Sequence, residues 1–253
     1  MIEKLARSAD KREAFKNRQP ARTIPQGTTP KRTTPQRTTS SPAVPGQPEK
    51  PSKQALQAAA KLQTALQRPA NEVRLIGGQW KRTKLAVANL PGLRPTPDRV
   101  RETLFNWLGQ DMTGMRCVDA FAGTGALGYE AASRGAADVL LVEPEARLIA
   151  QLQTLKTKLK ADMVRIQRGD GIAVLQNLPR GSVDVVFIDP PFNAPIFDKA
   201  LAAAAHAVSA QGAVYLEAPK LWTNEDLASV GLQVSRAGKA GAVHYHLLCA
   251  VAV

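Results

Sequence analysis

The sequence predicts an α/β fold: a doubly wound, mostly parallel sheet with an N-terminal β-hairpin extension and a C-terminal antiparallel hairpin. Three observations predict it. Apolar runs alternate with helical stretches between residues 115 and 217. Those runs are apolar at nearly every position, the pattern of strands covered on both faces. The tail "LQVSRAGKAGAVHYHLLCAVAV" instead shows two β-like runs joined near 238–241.

The elements follow in order. Residues 19–52 are rich in Pro, Thr, Gln and Ser, with an echo in "TTPKRTTPQRTTSSP", and predict a disordered linker. Helices are expected on either side of it, at 1–18 and in "KQALQAAAKLQTALQR" at 53–68, which Pro69 ends. The expected division is a basic leader (1–70), a hairpin-and-helix segment (71–110) and a catalytic domain (111–253). "EVRLIGGQWKRTKLAV" reads as a hairpin around Gly77-Gly78. "TPDRVRETLFNWL" starts as a helix with Thr96 as N-cap and Pro97 at its first position. Val100, Leu104, Trp107 and Leu108 share one face of it. Strands are predicted at 115–119, 139–143, 163–168, 183–189 and 213–217. Helices are predicted at 126–134, 145–160, 171–178 and 196–209.

Composition narrows the setting. Of the net charge of +13, residues 1–70 carry 14 Lys+Arg and 4 Asp+Glu, hence +10, which leaves +3 for the rest. A basic leader favours RNA or DNA through counterion release; the competing reading is a solvated tail that aids solubility. Cys117 and Cys249 lie in apolar runs without metal-ligand spacing, so no metal site and a reducing setting are expected. No run approaches the roughly 20 apolar residues of a membrane span, and the N-terminus lacks the apolar centre of a secretion signal. A cytoplasmic protein without membrane contact is the expectation. His244 and His246 alternate on the last strand, where a solvent-facing structural role is expected.

The chemistry concentrates where strands end. "CVDAFAGTGALGYEAASRGA" runs from a strand ending on Asp119, through a loop with Phe121, Gly123 and Gly125, into an Ala-rich helix. Glycines let a ligand approach the backbone, and the helix N-terminus offers free N–H groups. Tight turns use glycine for purely structural reasons too. The next strands end on Glu143, which could accept from both hydroxyls of a ribose, and on "RGDGIAVL" with Asp170 and Gly171, where an adenine amino group could bind. The fourth ends in "VVFIDPPFNAP". Four acids therefore finish four strands on one sheet edge, although each alone could be a helix cap. A dinucleotide dehydrogenase fits the glycine spacing but has no use for Asp-Pro-Pro-Phe, and a phosphate-binding P-loop would need a Lys before the helix.

These residues resemble the class I S-adenosylmethionine-dependent amino-methyltransferases. With "RLIGGQWKRTKL" (74–85) and "LRPTPDRVRETLFNWL" (93–108), they closely resemble the bacterial small-subunit (16S) ribosomal RNA guanine-N2 methyltransferase family, the RsmD type, over about residues 72–250. Arg82 and Thr83 depart from the expected Gly and Arg. The resemblance implies a Rossmann-like methyltransferase fold and S-adenosyl-L-methionine as cofactor. It implies that Asp119, Phe121, Gly123 and Gly125 lie near the methionine part, Glu143 at the ribose, and Asp170 with Gly171 at the adenine. Asp189 and the Pro190 carbonyl would accept the amine's N–H groups while Phe192 stacks the base. Arg74, Lys81, Arg82, Lys84, Arg94, Arg99 and Arg101 are candidate phosphate contacts, with Arg99 the one that could turn inward. The implied partner is 16S rRNA in the assembled or assembling subunit, and a monomer is expected. The same clamp would serve an adenine-N6 or protein-glutamine methyltransferase, and a non-catalytic RNA-binding module of this fold is a further alternative.

Overall fold

The computed structural model describes residues 72–87, 96–192 and 194–251. The leader and its two expected helices lie outside these residues, as does Arg94. Among the described residues, β1 (Glu72–Arg74) and β2 (Lys84–Ala86) pair antiparallel as an outlying hairpin, and α1 spans Asp98–Leu108. The central elements are β3 (Arg116–Asp119), α2 (Ala126–Ser133), β4 (Asp138–Glu143), α3 (Ala146–Leu159), β5 (Val164–Arg168) and α4 (Gly171–Asn177). They continue with β6 (Val183–Ile188), α5 (Phe197–Ala207), β7 (Val208–Ala218), α6 (Asn224–Leu227), β8 (Leu232–Ala240) and β9 (Val243–Ala250).

The sheet order is β5-β4-β3-β6-β7-β9-β8, with five parallel strands and the β8–β9 hairpin joined antiparallel to β7 through β9. This is the expected doubly wound, Rossmann-like methyltransferase architecture. Alternate side chains divide the core. Cys117, Val185, Phe187, Tyr215 and Leu247 face the cluster under α1, α2 and the hairpin. Val118, Val186, Ile188, Val214 and Leu248 face the one under α4 and α5. The chain winds from β3 out to β5, then returns to β6 on the other side of β3. Ligands of open α/β sheets bind beyond the carboxyl ends at such a reversal, and here Asp119 and Asp189 flank it.

Two boundaries differ from expectation. α5 runs directly into β7, which begins at Val208 rather than at 213, because Val208 pairs with Val183 before a register shift. α1 begins at Asp98 with Pro97 as N-cap and no side-chain cap bond. Thr96 is therefore not the cap; its hydroxyl donates to Oδ2 of Asp189 at 3.3 Å, 93 positions away.

All eight residues of α2 are buried, and its packing depends on one glycine. A Cβ on Gly128 would lie 2.1 Å from Leu141 Cδ2 and 3.4 Å from Asp119 Cβ. Gly128→Ala is expected to lower stability by about 1–3 kcal/mol despite better helix propensity, because overpacking outweighs the backbone gain. A reduced denaturant midpoint at unchanged m-value is the expected observation, and a raised midpoint would contradict it.

Candidate active site

β3 carries Asp119, almost fully buried, to the switch point. Gly125 at the N-cap of α2 has φ 77° and no side chain to cap with, so Asp119 takes over. Its Oδ2 accepts from Gly128 N at 3.0 Å. Burial, then the Glu143 charge, raise the Asp119 carboxyl to about 7, against lowering by N–H donors at Gly128 and Phe121. The glycine loop is tied to both neighbouring strands, Ala120 N donating to Phe187 O at 3.1 Å and Ala122 N to Val142 O at 3.0 Å.

Glu143 is buried at the end of β4 and accepts from Gly123 N at 2.9 Å and Glu145 N at 3.0 Å. It thereby ties the glycine loop to the start of α3. Asp170 caps α4, accepting from Ile172 N at 2.8 Å and Ala173 N at 3.5 Å. The helix-cap reading therefore holds for Asp170, while Asp170 also stays exposed at the sheet edge. A Cβ on Gly171 would meet the Ala120 carbonyl oxygen at 1.9 Å, so only glycine lets α4 approach the glycine loop. A cavity of about 370 Å³ between α4 and the β4–β5 edge is bordered by Gly169 and Asp170 but not by Asp119, Glu143 or Asp189.

Asp189 follows β6, half-buried, with Pro190 buried and Pro191 and Phe192 exposed. The Phe192 ring, 37% accessible, stands 6.5 Å from Phe197, which stands 6.3 Å from Trp222. Burial, then the charges of Glu217 and Asp119, hold the Asp189 carboxyl well above its ordinary value, with the Thr96 hydroxyl acting the other way. Glu217 on β7 is buried and accepts from Tyr215 OH at 2.9 Å. Sequence reasoning missed Glu217 and Thr96. The rule that singled out the other acids, a carboxylate at the carboxyl end of a strand, applies equally to Glu217.

The basic residues separate into two kinds. Lys81, Arg82, Lys84 and Arg99 are exposed and Arg74 half-exposed, all on or beside the hairpin and α1. Arg101 is not a surface cation. It is fully buried and donates to Thr96 O at 3.2 Å, Arg74 O at 2.7 Å and Asp98 at 2.8 Å. Its Nη1 lies 3.5 Å from Oε2 of buried Glu130. The inward-turning arginine is thus Arg101 rather than Arg99. The signal was present: Arg101, Leu104, Phe105 and Leu108 fall at i, i+3, i+4, i+7, all buried. His246 is also buried rather than solvent-facing, its Nε2 accepting from Trp222 N at 3.1 Å.

The cluster of acids suits a cationic ligand. Acids end neighbouring strands at one edge, and among the described residues neither Asp119 nor Asp189 forms an ion pair. Glycines 123, 125 and 171 keep side chains out of the loops around them. S-adenosyl-L-methionine, a cation, is compatible with this charge, and the sequence-predicted Asp119, Phe121, Gly123, Gly125, Glu143, Asp170 and Gly171 all lie at or just beyond the carboxyl ends of β3, β4 and β5. A pH effect follows for the protein alone. An aspartate raised in the folded state from an ordinary 3.8 to about 7 binds more protons than the unfolded chain between those values. Its contribution to stability is fully present below about pH 4 and is lost as pH rises through about 7. Asp119→Asn should flatten this part of the stability–pH curve; a mutant curve parallel to wild type would remove Asp119 as the cause.

Known proteins share much of this sequence and its fold. Ribosomal RNA small subunit methyltransferase D of Escherichia coli K12 is 43% identical over 133 residues, 52% of this chain. The chain spans 66% of that relative's length. The protein of the same name from Haemophilus influenzae is 44% identical over 135 residues, covering 51% of this chain and 69% of the relative. The solved structure of yhhF from Escherichia coli is 36% identical with a TM-score of 0.60, over 72% of this chain and 99% of that one. A family profile described as Conserved hypothetical protein 95 matches residues 73–249, well over half of the 253 residues. The chain belongs to that family, the RsmD family.

Proposed function

We propose that this protein transfers a methyl group from S-adenosyl-L-methionine to the exocyclic N2 amine of a guanine in small-subunit 16S ribosomal RNA. The observation that carries the reading is the juxtaposition of Asp189, rigid Pro190 and exposed Phe192 beside the acid-tipped switch point. The names of the relatives support the rRNA substrate class. The cofactor supplies, when bound, a methyl group on a positively charged sulfur.

The chain's own residues perform the positioning. An exocyclic guanine amine is a weak nucleophile because its lone pair is delocalised into the ring. Asp189 and the Pro190 carbonyl accept its two N–H groups and orient the nitrogen lone pair, a task of alignment above all. Pro190 fixes its own φ and Pro191 restricts the ψ of Pro190, so that carbonyl keeps one direction. Phe192 offers a stacking face worth roughly 1–3 kcal/mol to an unstacked base. Asp189 takes the amine proton on a carboxyl oxygen once N2 carries its new methyl group; water can take it instead. The hairpin cations Arg74, Lys81, Arg82 and Lys84, with Arg99, contact phosphates, and the basic leader 1–70 adds a nonspecific attraction to RNA. The protein acts in the cytoplasm, as a monomer, on the assembled or assembling subunit.

Methyl transfer to purified small subunits, naked rRNA, DNA and protein, followed by nucleoside analysis, tests the reading. N2-methylguanosine in rRNA is the expected product; N6-methyladenosine or methylglutamine would replace it with another amine substrate. Asp189→Ala is expected to abolish transfer while cofactor binding persists, and near-normal transfer would refute the amine clamp. Arg82 is held at φ 72°, a left-handed conformation that costs a non-glycine residue about 1–2 kcal/mol. Arg82→Gly should therefore raise the unfolding midpoint while lowering RNA affinity and reducing the salt slope by about 1. An unchanged slope would exclude Arg82 as a phosphate contact.

A further inference from the structure

Thr96 stands out because it forgoes its usual use. Threonine at the start of a helix ordinarily caps it, yet Thr96 lies one residue before the N-cap Pro97 and α1 has no side-chain cap bond. The Thr96 hydroxyl, on a residue only 5% accessible, instead donates to Oδ2 of Asp189 at 3.3 Å. Its backbone is held as well, by Arg101 Nε on the Thr96 carbonyl at 3.2 Å. Arg101 in turn bonds Asp98 of α1 and the Arg74 carbonyl of β1. The hydroxyl is thus anchored by the hairpin and α1 while it acts on a residue that follows β6.

We propose that Thr96 is a positioning residue, its hydroxyl fixing one oxygen of Asp189 so that the other oxygen is turned to the substrate amine. The inference rests on the amine-acceptor reading of Asp189. A carboxyl on a single Cα–Cβ arm rotates unless one oxygen is tethered, and a misaligned acceptor loses the directional part of its bond. A charge-assisted O–H donation also favours the ionised carboxyl, in which both oxygens only accept. The other groups facing Asp189 are Glu217 and Tyr215 of β7 and Asp119 of β3, and all of them are unchanged in the variants below.

Thr96→Val keeps the shape and removes the donor; Thr96→Ser keeps the donor. Wild type and both variants are compared for kcat and KM against pH on small subunits. The Asp189 carboxyl is titrated in parallel by carbon-13 NMR, assigned with Asp189→Asn, and thermal melts check folding. The expected result for Thr96→Val is a roughly tenfold lower kcat at near-constant KM, the scale of one hydrogen bond to a charged group. Its Asp189 titration and the acid limb of its kcat profile should both move to higher pH, and Thr96→Ser should restore both. A Thr96→Val enzyme with wild-type kcat, or with an unmoved Asp189 titration, overturns the inference. If wild type forms no N2-methylguanosine, the proposed function fails on its own. The Asp189 titration then decides alone whether Thr96 holds the carboxyl: a shift sustains the tether, and no shift ends it.

Discussion

Glu130 is buried completely in α2, and the N-terminal extension is organised around its carboxylate. Oε2 accepts from Ile76 N of the hairpin at 2.8 Å, and Oε1 accepts from Arg134 Nε at 2.9 Å. Arg101 of α1 approaches Oε2 at 3.5 Å. An ionised group so deep in a protein costs several kcal/mol unless its partners are present, so this arrangement tolerates no partial assembly. Hairpin, α1 and α2 must dock together. Ser133 completes the attachment, donating to Gly77 O at 2.7 Å while accepting from Trp80 N at 2.9 Å. Arg134 lies over the Phe105 ring at 4.7 Å, which covers the network with apolar surface.

The same docking reaches the reaction centre. Glu130 faces Arg101, Arg101 holds Thr96, and Thr96 holds Asp189. Residues 72–87 and 96–108 are therefore part of the catalytic framework in the proposed mechanism. Burial has a second consequence at the sheet edge. Asp119, Asp189 and Glu217 share one face of the sheet, where burial raises the Asp119 and Asp189 carboxyls and the charges of Glu217 and Asp119 raise Asp189 further. Such an edge favours a cationic ligand, and glycines at 123, 125 and 171 keep the surrounding backbone close.

Much of this was legible in the residues. Continuous apolar runs marked the parallel strands, and Gly123, Gly125 and Gly128 marked the first strand–helix turn. Asp119, Glu143, Asp170 and Asp189 could be placed on one edge because parallel strands all point their carboxyl ends the same way. The misreadings share a cause. Thr96 looks like a cap by local rules, but a partner 93 positions away takes its hydroxyl. Arg101 looks like one more surface cation within a basic block, although its helical spacing with Leu104 and Phe105 pointed inward. His246 alternates with His244, yet the segment after β7 folds over it, with buried Trp222 donating its backbone N–H to Nε2.

The sequence by itself determined the elements, their order and the chemistry at the strand ends. Those depend on local periodicity, on backbone freedom at Gly and Pro, and on strand direction. Tertiary structure alone decided which polar side chains reach across the chain and which acids perturb one another. Burial and long-range hydrogen bonding depend on which surfaces meet, and two residues far apart in sequence carry no local sign of meeting. Glu130, Arg101 and Thr96 acquire their roles only when the hairpin and α1 pack against α2 and Thr96 meets Asp189 beyond β6.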